Sequence, residues 1–301
     1  MRVVVTGSGG LIGGALVTAV RTRGDEAVPL LRRPVAGGAW WDPAAGTVGD
    51  DALDALRRAD AVVHLAGAGL GDKRWSPARR REIVSSRLAA TTVLCRTLAG
   101  LERRPSVLVS ASAVGYYGDR DDEELTEASA PGTGFLADLC RGWEDATTPA
   151  SEAGIRVVRL RSGVVLSAQG GALARQLPLF RLGVGGRLGN GRQWLSWITI
   201  DDEVGVILHA LDHASLVGPV NATAPGPVTN RAFTAALGKA VHRPAVLAVP
   251  GVALRLALGS ELASEMILAG QRVLPERVLG DGYRFAHPSL DVALDAVLGA
   301  R

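Results

Sequence analysis

Three glycines set three residues apart make up the sequence's clearest chemical signal. In Val3-Val4-Val5-Thr6-Gly7-Ser8-Gly9-Gly10-Leu11-Ile12-Gly13, a β-branched run gives way to Gly7, Gly10 and Gly13 and then to a helix-like stretch. The chemistry this spacing suits is anion binding. Gly7 permits a tight turn, Gly10 lets main chain approach a pyrophosphate, and Gly13 lets the helix lie close to the sheet. The free N–H groups and dipole of the helix start, over Ser8, Gly9, Leu11 and Ile12, attract negative charge. With 38 glycines in 301 residues, spacing alone would say little. A strand before it and a helix after it favour a dinucleotide cradle over a structural turn.

The next strand-like run ends in Leu31-Arg32-Arg33, and no carboxylate follows until Asp42. About 20 residues past the glycines, an acid would hold the ribose hydroxyls of NAD, whereas a guanidinium grips the 2′-phosphate of NADP. Arg32 and Arg33 therefore predict NADP(H) as cofactor, with NAD(H) the less favoured form. Arginine makes up 31 of the 33 basic residues, so one arginine at this place has a chance component.

The elements that must position these groups alternate. Runs at 2–5, 27–31, 61–65, 106–110 and 156–160 read as strands, and stretches at 11–22, 77–98 and 135–153 read as helices. That order predicts an α/β fold, a doubly wound parallel sheet of Rossmann type, built by right-handed crossovers. The boundary is set at 166: residues 1–166 form the NADP-binding domain and 167–301 the substrate side. The latter holds a strand return near 218–223 and a smaller, mainly helical C-terminal subdomain over about 243–301. Glycines cluster between Gly170 and Gly191, in a loop of the kind that caps or lines a site.

Composition narrows the function classes. With 47% hydrophobic and 21% charged residues and a net charge of +3, the chain is not disordered, collagenous or a disulfide scaffold. Its lysines are Lys73 and Lys239, and the arginines form no long block, so no nucleic-acid partner is expected. Cys95 and Cys140 lie in apolar helix-like segments and read as reduced thiols. No secretory leader and no apolar run of about 18 residues is visible, which predicts a cytoplasmic protein without a membrane partner. A small-molecule substrate is the expected partner, and a homodimer is the assembly left open. His64, Asp119 and Asp121 lack metal spacing, and no metal is expected.

Further motifs carry a resemblance. Asp60-Ala61-Val62-Val63-His64-Leu65-Ala66-Gly67, Ser110-Ala111-Ser112-Ala113-Val114-Gly115-Tyr116-Tyr117-Gly118 and Gly218-Pro219-Val220-Asn221-Ala222-Thr223 resemble the extended short-chain dehydrogenase/reductases of the NAD-dependent epimerase/dehydratase group. Trp75 with Ser86-Arg87, Arg161 to Leu166, and Leu182 to Gly186 running on to Trp197 look like its atypical branch, described as epimerase-family or cell-division-inhibitor-like proteins with a tail of unknown function. The resemblance covers essentially the whole chain. It implies cofactor contacts by Leu65, Ala66, Gly67 and Ser110, and a catalytic serine at Ser112, whose hydroxyl would share a proton with a substrate oxygen.

The pattern breaks where the family keeps a Tyr and, four residues on, a Lys. If Glu144 matches the family's helix acid, Leu136 and Cys140 stand at those two places, and neither can replace its counterpart. Tyr116 and Tyr117 are the candidate substitute donors, with pocket walls as the competing reading. Arg87, where relatives often have Asn, is either an anchor for cofactor phosphate or substrate, or one more charge on a solvated helix face. Gln193, Trp194 and Trp197, near Ser196 and Asp201, are the expected substrate wall, with core packing as the alternative. The expected function is an NADP(H)-binding oxidoreductase or epimerase-like protein acting on a small carbonyl or sugar-type substrate. The alternative is a non-catalytic, NADP-responsive regulatory or partner-binding protein.

Overall fold

The computed structural model describes residues 1–33 and 38–299. Six strands form the central sheet: β1 (Arg2–Thr6), β2 (Glu26–Leu30), β3 (Ala61–His64), β4 (Val107–Ala113), β5 (Arg156–Ser162) and β6 (Gly218–Ala222). Their spatial order is β6-β5-β4-β3-β1-β2, with parallel pairing of β1 to β2, β1 to β3 and β3 to β4. Val3, Val4 and Val5 are wholly buried, as are Ala61, Val62 and Val63. Strands covered on both faces read as unbroken apolar runs, which is why the sequence announces them.

The helices follow the strands: α1 (Leu11–Thr22), α2 (Asp50–Arg57), α3 (Pro77–Ala99), α4 (Phe135–Asp145), α5 (Thr148–Glu152), α6 (Gly171–Arg181), α7 (Ile200–Asp212) and α8 (Asn230–Ala240). The helix α3 starts on Ser76, whose hydroxyl accepts from Arg79 N–H at 3.2 Å, with Pro77 in the first turn. The stretch read as one helix over 135–153 is two, because Pro149 opens a second helix after Thr147. The tail is largely helical, with elements at Gly251–Leu258, Ser260–Leu262, a π-turn at Ala263–Leu268, Glu276–Gly280 and Leu290–Gly299.

The chain divides into two compact units. The first takes Met1–Ser112, Leu139–Leu160 and Val204–Val220; the second takes Ala113–Asp138, Arg161–Glu203 and Asn221–Arg301. A single cut at 166 is thus replaced by a chain that passes back and forth. In the first unit, Trp41, Leu56, Leu94, Leu98 and Leu108 lead one apolar core. In the second, Leu173, Leu177, Phe180, Trp197, Phe233 and Leu294 form another.

Candidate functional site

Between β1 and β3 the strand order reverses, and ligands of such sheets bind outside the carboxyl ends of the strands at that point. Gly7 follows β1 with φ +71°, and a Cβ there would fall 2.7 Å from the Leu65 carbonyl carbon. The Thr6 hydroxyl accepts from the N–H groups of Leu65 and Ala66 at 3.2 and 3.3 Å, so the two predicted cofactor loops are brought together. Gly13 is tighter still, since a Cβ would lie 2.2 Å from the Gly7 carbonyl oxygen. Gly9 faces open space. The helix α1 begins after Gly10 with no side-chain cap and no acid in its first turn, leaving N–H groups free for an anion. These residues fit a pyrophosphate.

Past β2 in the first unit, a cavity of about 830 Å³ takes in Leu31, Arg32, Arg33, Ala68, Ser85 and Ser86, with Asp42 also on its wall. Asp42 Oδ1 is committed to its own turn, accepting from Ala44 and Ala45 N–H. Glu82, also on the wall, pairs with Arg79 at 2.6 Å, and the guanidinium groups of Arg32 and Arg33 are exposed at this end of the cleft.

The other candidate polar residues of the first unit lie deeper. Ser112 is 4% exposed and its hydroxyl donates to Glu144 Oε1 at 2.8 Å. Sequence reasoning named Glu144 only as a landmark; a pairing 32 residues apart has no local signal. Ser110 is buried with its Oγ unpartnered. His64 is wholly buried between Thr6 Oγ1 at 2.7 Å and Thr91 Oγ1 at 3.0 Å, and burial draws its pKa from 6.5 down to about 4. Arg87 is buried too, which disposes of the solvated-face alternative.

In the second unit, Tyr117 is wholly buried, donating to Asn221 Oδ1 at 2.7 Å and accepting from Arg161 at 2.9 Å. Burial pushes its phenol up to about 12 in spite of the adjacent guanidinium. Tyr116 is partly exposed, with the Arg161 guanidinium 3.5 Å from its ring centroid. Leu136 lines a cavity of about 230 Å³ with Gly115, Thr133, Glu265 and Gln271. Glu265, from the π-turn of the tail, accepts from Phe135 and Leu136 N–H at 2.9 and 2.7 Å and so caps the start of α4.

The expected substrate wall divides. Gln193 lines a separate cavity of about 470 Å³ but spends its amide on the carbonyls of Leu188 and Ile267. Trp194 is half-buried, donating to Asp122 Oδ1 under the Arg272 guanidinium. Trp197 is wholly buried, its indole N–H bonded to the Gly226 carbonyl, as core packing requires. Another group missed in the sequence is Glu203, wholly buried, where the Ser162 hydroxyl donates at 2.6 Å and burial pushes the carboxyl from 4.5 up to about 7. His209 near the end of α7 and His213 just past it stack at 3.7 Å between ring centroids.

A doubly wound sheet with an uncapped glycine turn at its switch point, a serine on the fourth strand and a helical tail defines an extended short-chain dehydrogenase/reductase, of the atypical kind without the Tyr/Lys pair. Comparison with known families agrees: residues 3–222 match the NAD dependent epimerase/dehydratase family and residues 249–297 a domain of unknown function, DUF1731. The chain belongs to the NAD dependent epimerase/dehydratase family. It is 44% identical over 294 residues to epimerase family protein ML0860 of Mycobacterium leprae, covering 97% of this chain and 94% of that protein. The crystal structure of human epimerase family protein SDR39U1 with NADPH superposes with a TM-score of 0.91 at 34% identity, over 100% of both chains. A nucleoside-diphosphate sugar epimerase from Corynebacterium glutamicum is 37% identical with a TM-score of 0.79, over 99% of this chain and 58% of that one. Among the described residues, no helix is long and apolar enough to cross a membrane.

Proposed function

We propose that the protein binds NADP(H) in its first unit and acts as an oxidoreductase or epimerase-like enzyme on a small carbonyl or sugar-type substrate. The observation that carries this reading is the cavity walled by Arg32 and Arg33, in the unit that also holds the uncapped start of α1. That human SDR39U1 was solved with NADPH supports the phosphorylated form. The free thiols of Cys95 and Cys140 support a reducing, cytoplasmic setting.

A bound nicotinamide would supply or accept the hydride. Ser112 Oγ orients the reacting substrate oxygen. In the alcohol-oxidising direction, it takes the substrate hydroxyl proton as its own passes to Glu144 Oε1; the reverse transfer serves carbonyl reduction. Of the two tyrosines Tyr116 is the candidate to assist, because the hydroxyl of Tyr117 is committed to Asn221 and Arg161. A second reading, an NADP-responsive protein without turnover, draws on Leu136 and Cys140 standing in place of the Tyr/Lys pair.

Calorimetric titration with NADPH and NADH tests the first claim. The wild type takes up NADPH, and Arg32→Asp weakens NADPH about tenfold or more while sparing NADH, as loss of a charge-assisted phosphate contact implies. Equal weakening of both removes the NADP assignment. Oxidation of NADPH is then followed against carbonyl compounds and nucleotide sugars. Turnover abolished by Ser112→Ala supports the enzyme, and tight binding with no turnover on any of them supports the second reading.

A further inference from the structure

Among the described residues, no carboxylate pairs with one buried arginine of the first unit. Arg87 on α3 is 7% exposed, yet its hydrogen bonding amounts to one long contact from Nη1 to the Ile83 carbonyl at 3.4 Å. Its Nε is buried without a partner. The guanidinium lies over the Trp143 ring, 5.0 Å from the centroid. Arg79, two turns earlier on α3 and equally buried, shows the ordinary arrangement: it pairs with Glu82 at 2.6 Å and approaches Asp72. A buried charge that lacks such partners is costly, and a fold that keeps one keeps it for something outside its own polar groups.

Its position says what that something is. A Cβ on Gly67, in the loop after β3, would lie 3.3 Å from Arg87 Cζ and 3.4 Å from Nη2, so the planar fork is pressed against a predicted cofactor loop. On its other side stands α4. Trp143 is one turn beyond Cys140, the residue that the resemblance puts at the family's lysine position if Glu144 is its helix acid. Burial draws the guanidinium down from 12.5 to about 10, Cys140 acting in the opposite sense and the like charge of Arg79 in the same one.

We infer that Arg87 supplies from α3 the fixed positive charge that relatives supply from α4, and that its fork holds the vicinal hydroxyls of the nicotinamide ribose. The inference rests on the NADP(H) reading. It goes further by exchanging the two helices' roles: an uncharged residue at 140 leaves room and need for a cation at 87. Guanidinium suits the task, since two parallel N–H donors match two neighbouring oxygens.

The test compares three ligands by calorimetry on the full chain: NADPH, its 2′-phosphorylated ADP-ribose fragment, which keeps the second ribose, and 2′,5′-ADP, which lacks it. Arg87→Gln is expected to weaken the first two by about tenfold or more and to leave 2′,5′-ADP unchanged, as loss of a charge-assisted contact implies. The Arg87→Asn/Cys140→Lys double variant regains most of the loss. Without ligand, Arg87→Gln melts no lower than wild type, because no carboxylate loses its partner. Unchanged binding of all three, or equal weakening of all three, overturns the inference. So does weakening of NADPH alone, which would put the contact on the nicotinamide ring, and so does a failed rescue. If the wild type binds none of the three ligands, it is the NADP(H) reading itself that fails.

Discussion

The two units differ in the distance over which their polar groups are assembled. In the first, the binding turn is written in consecutive residues: Gly7 to Gly13 close on themselves and Arg32 and Arg33 are neighbours, with only the partner loop at Leu65 coming from 59 residues beyond Thr6. In the second, the working contacts span the chain. Tyr117 meets Asn221 across 104 residues, Asn221 meets Glu127 across 94, and Phe135 meets Glu265 across 130. A site that uses main-chain N–H groups needs only a particular turn, and glycine spacing specifies the turn. Sites made of side chains need a finished fold before they exist. The buried titrating groups differ as well. His64 in the first unit resists taking a proton, and Glu203 in the second resists losing one.

The sharpest way to break this contrast is Gly13→Val. With a Cβ 2.2 Å from a carbonyl oxygen, relief requires main chain to move, and overpacking of this kind costs about 1–3 kcal/mol or more. NADPH binding is expected to fall at least about a hundredfold, since the helix start can no longer meet its anion. Near-native affinity in a titration would mean that the cradle is not where binding occurs.

Next in size are two opposed pH dependences. For His64 the folded pKa of about 4 lies below the free value of 6.5, so the unfolded chain binds the proton first as pH falls. Stability is therefore present at neutral pH and lost from 6.5 down to 4, on the order of 3 kcal/mol in full. For Glu203 the folded pKa of about 7 lies above 4.5, so the unfolded chain releases its proton first as pH rises. Its contribution is present below 4.5 and lost up to 7, again on the order of 3 kcal/mol. In urea denaturation series over pH 4–7.5, His64→Gln should remove a slope rising with pH and Glu203→Gln a slope falling with pH. Two slopes of the same sign would erase the distinction between the units.

The smallest effect sharpens the division between the paired tyrosines. Tyr117→Phe deletes a hydroxyl bonded to both Asn221 and Arg161 and should cost about 1–3 kcal/mol in denaturant unfolding. Tyr116→Phe, at a partly exposed position, should cost under about 0.5 kcal/mol. If turnover is found, the order reverses, with Tyr116→Phe the more damaging to kcat.

What the sequence made legible follows the same line. Valine and alanine runs marked β1 and β3 because both faces are covered, and the glycine turn was readable from its own spacing. The short helix α2 went unread although Ala52, Ala55 and Leu56 form its buried stripe behind Asp50 and Asp51, because eight residues give the period little room. Trp197 was weighed as a substrate wall because a tryptophan after a glycine-rich loop looks the same in sequence whether it faces a ligand or a core. The bond from Ser112 to Glu144 and the stacking of Arg161 on Tyr116 carried no signal, since nothing local prefers them.

Glu265 gives the tail domain a meaning that its own sequence does not advertise. Its two carboxylate oxygens fasten the first turn of a helix 130 residues upstream, the turn that carries Leu136. The tail is therefore a splint on the start of α4. Damage to it would loosen a helix far off in the chain, so that drift in one segment constrains what the other is free to become.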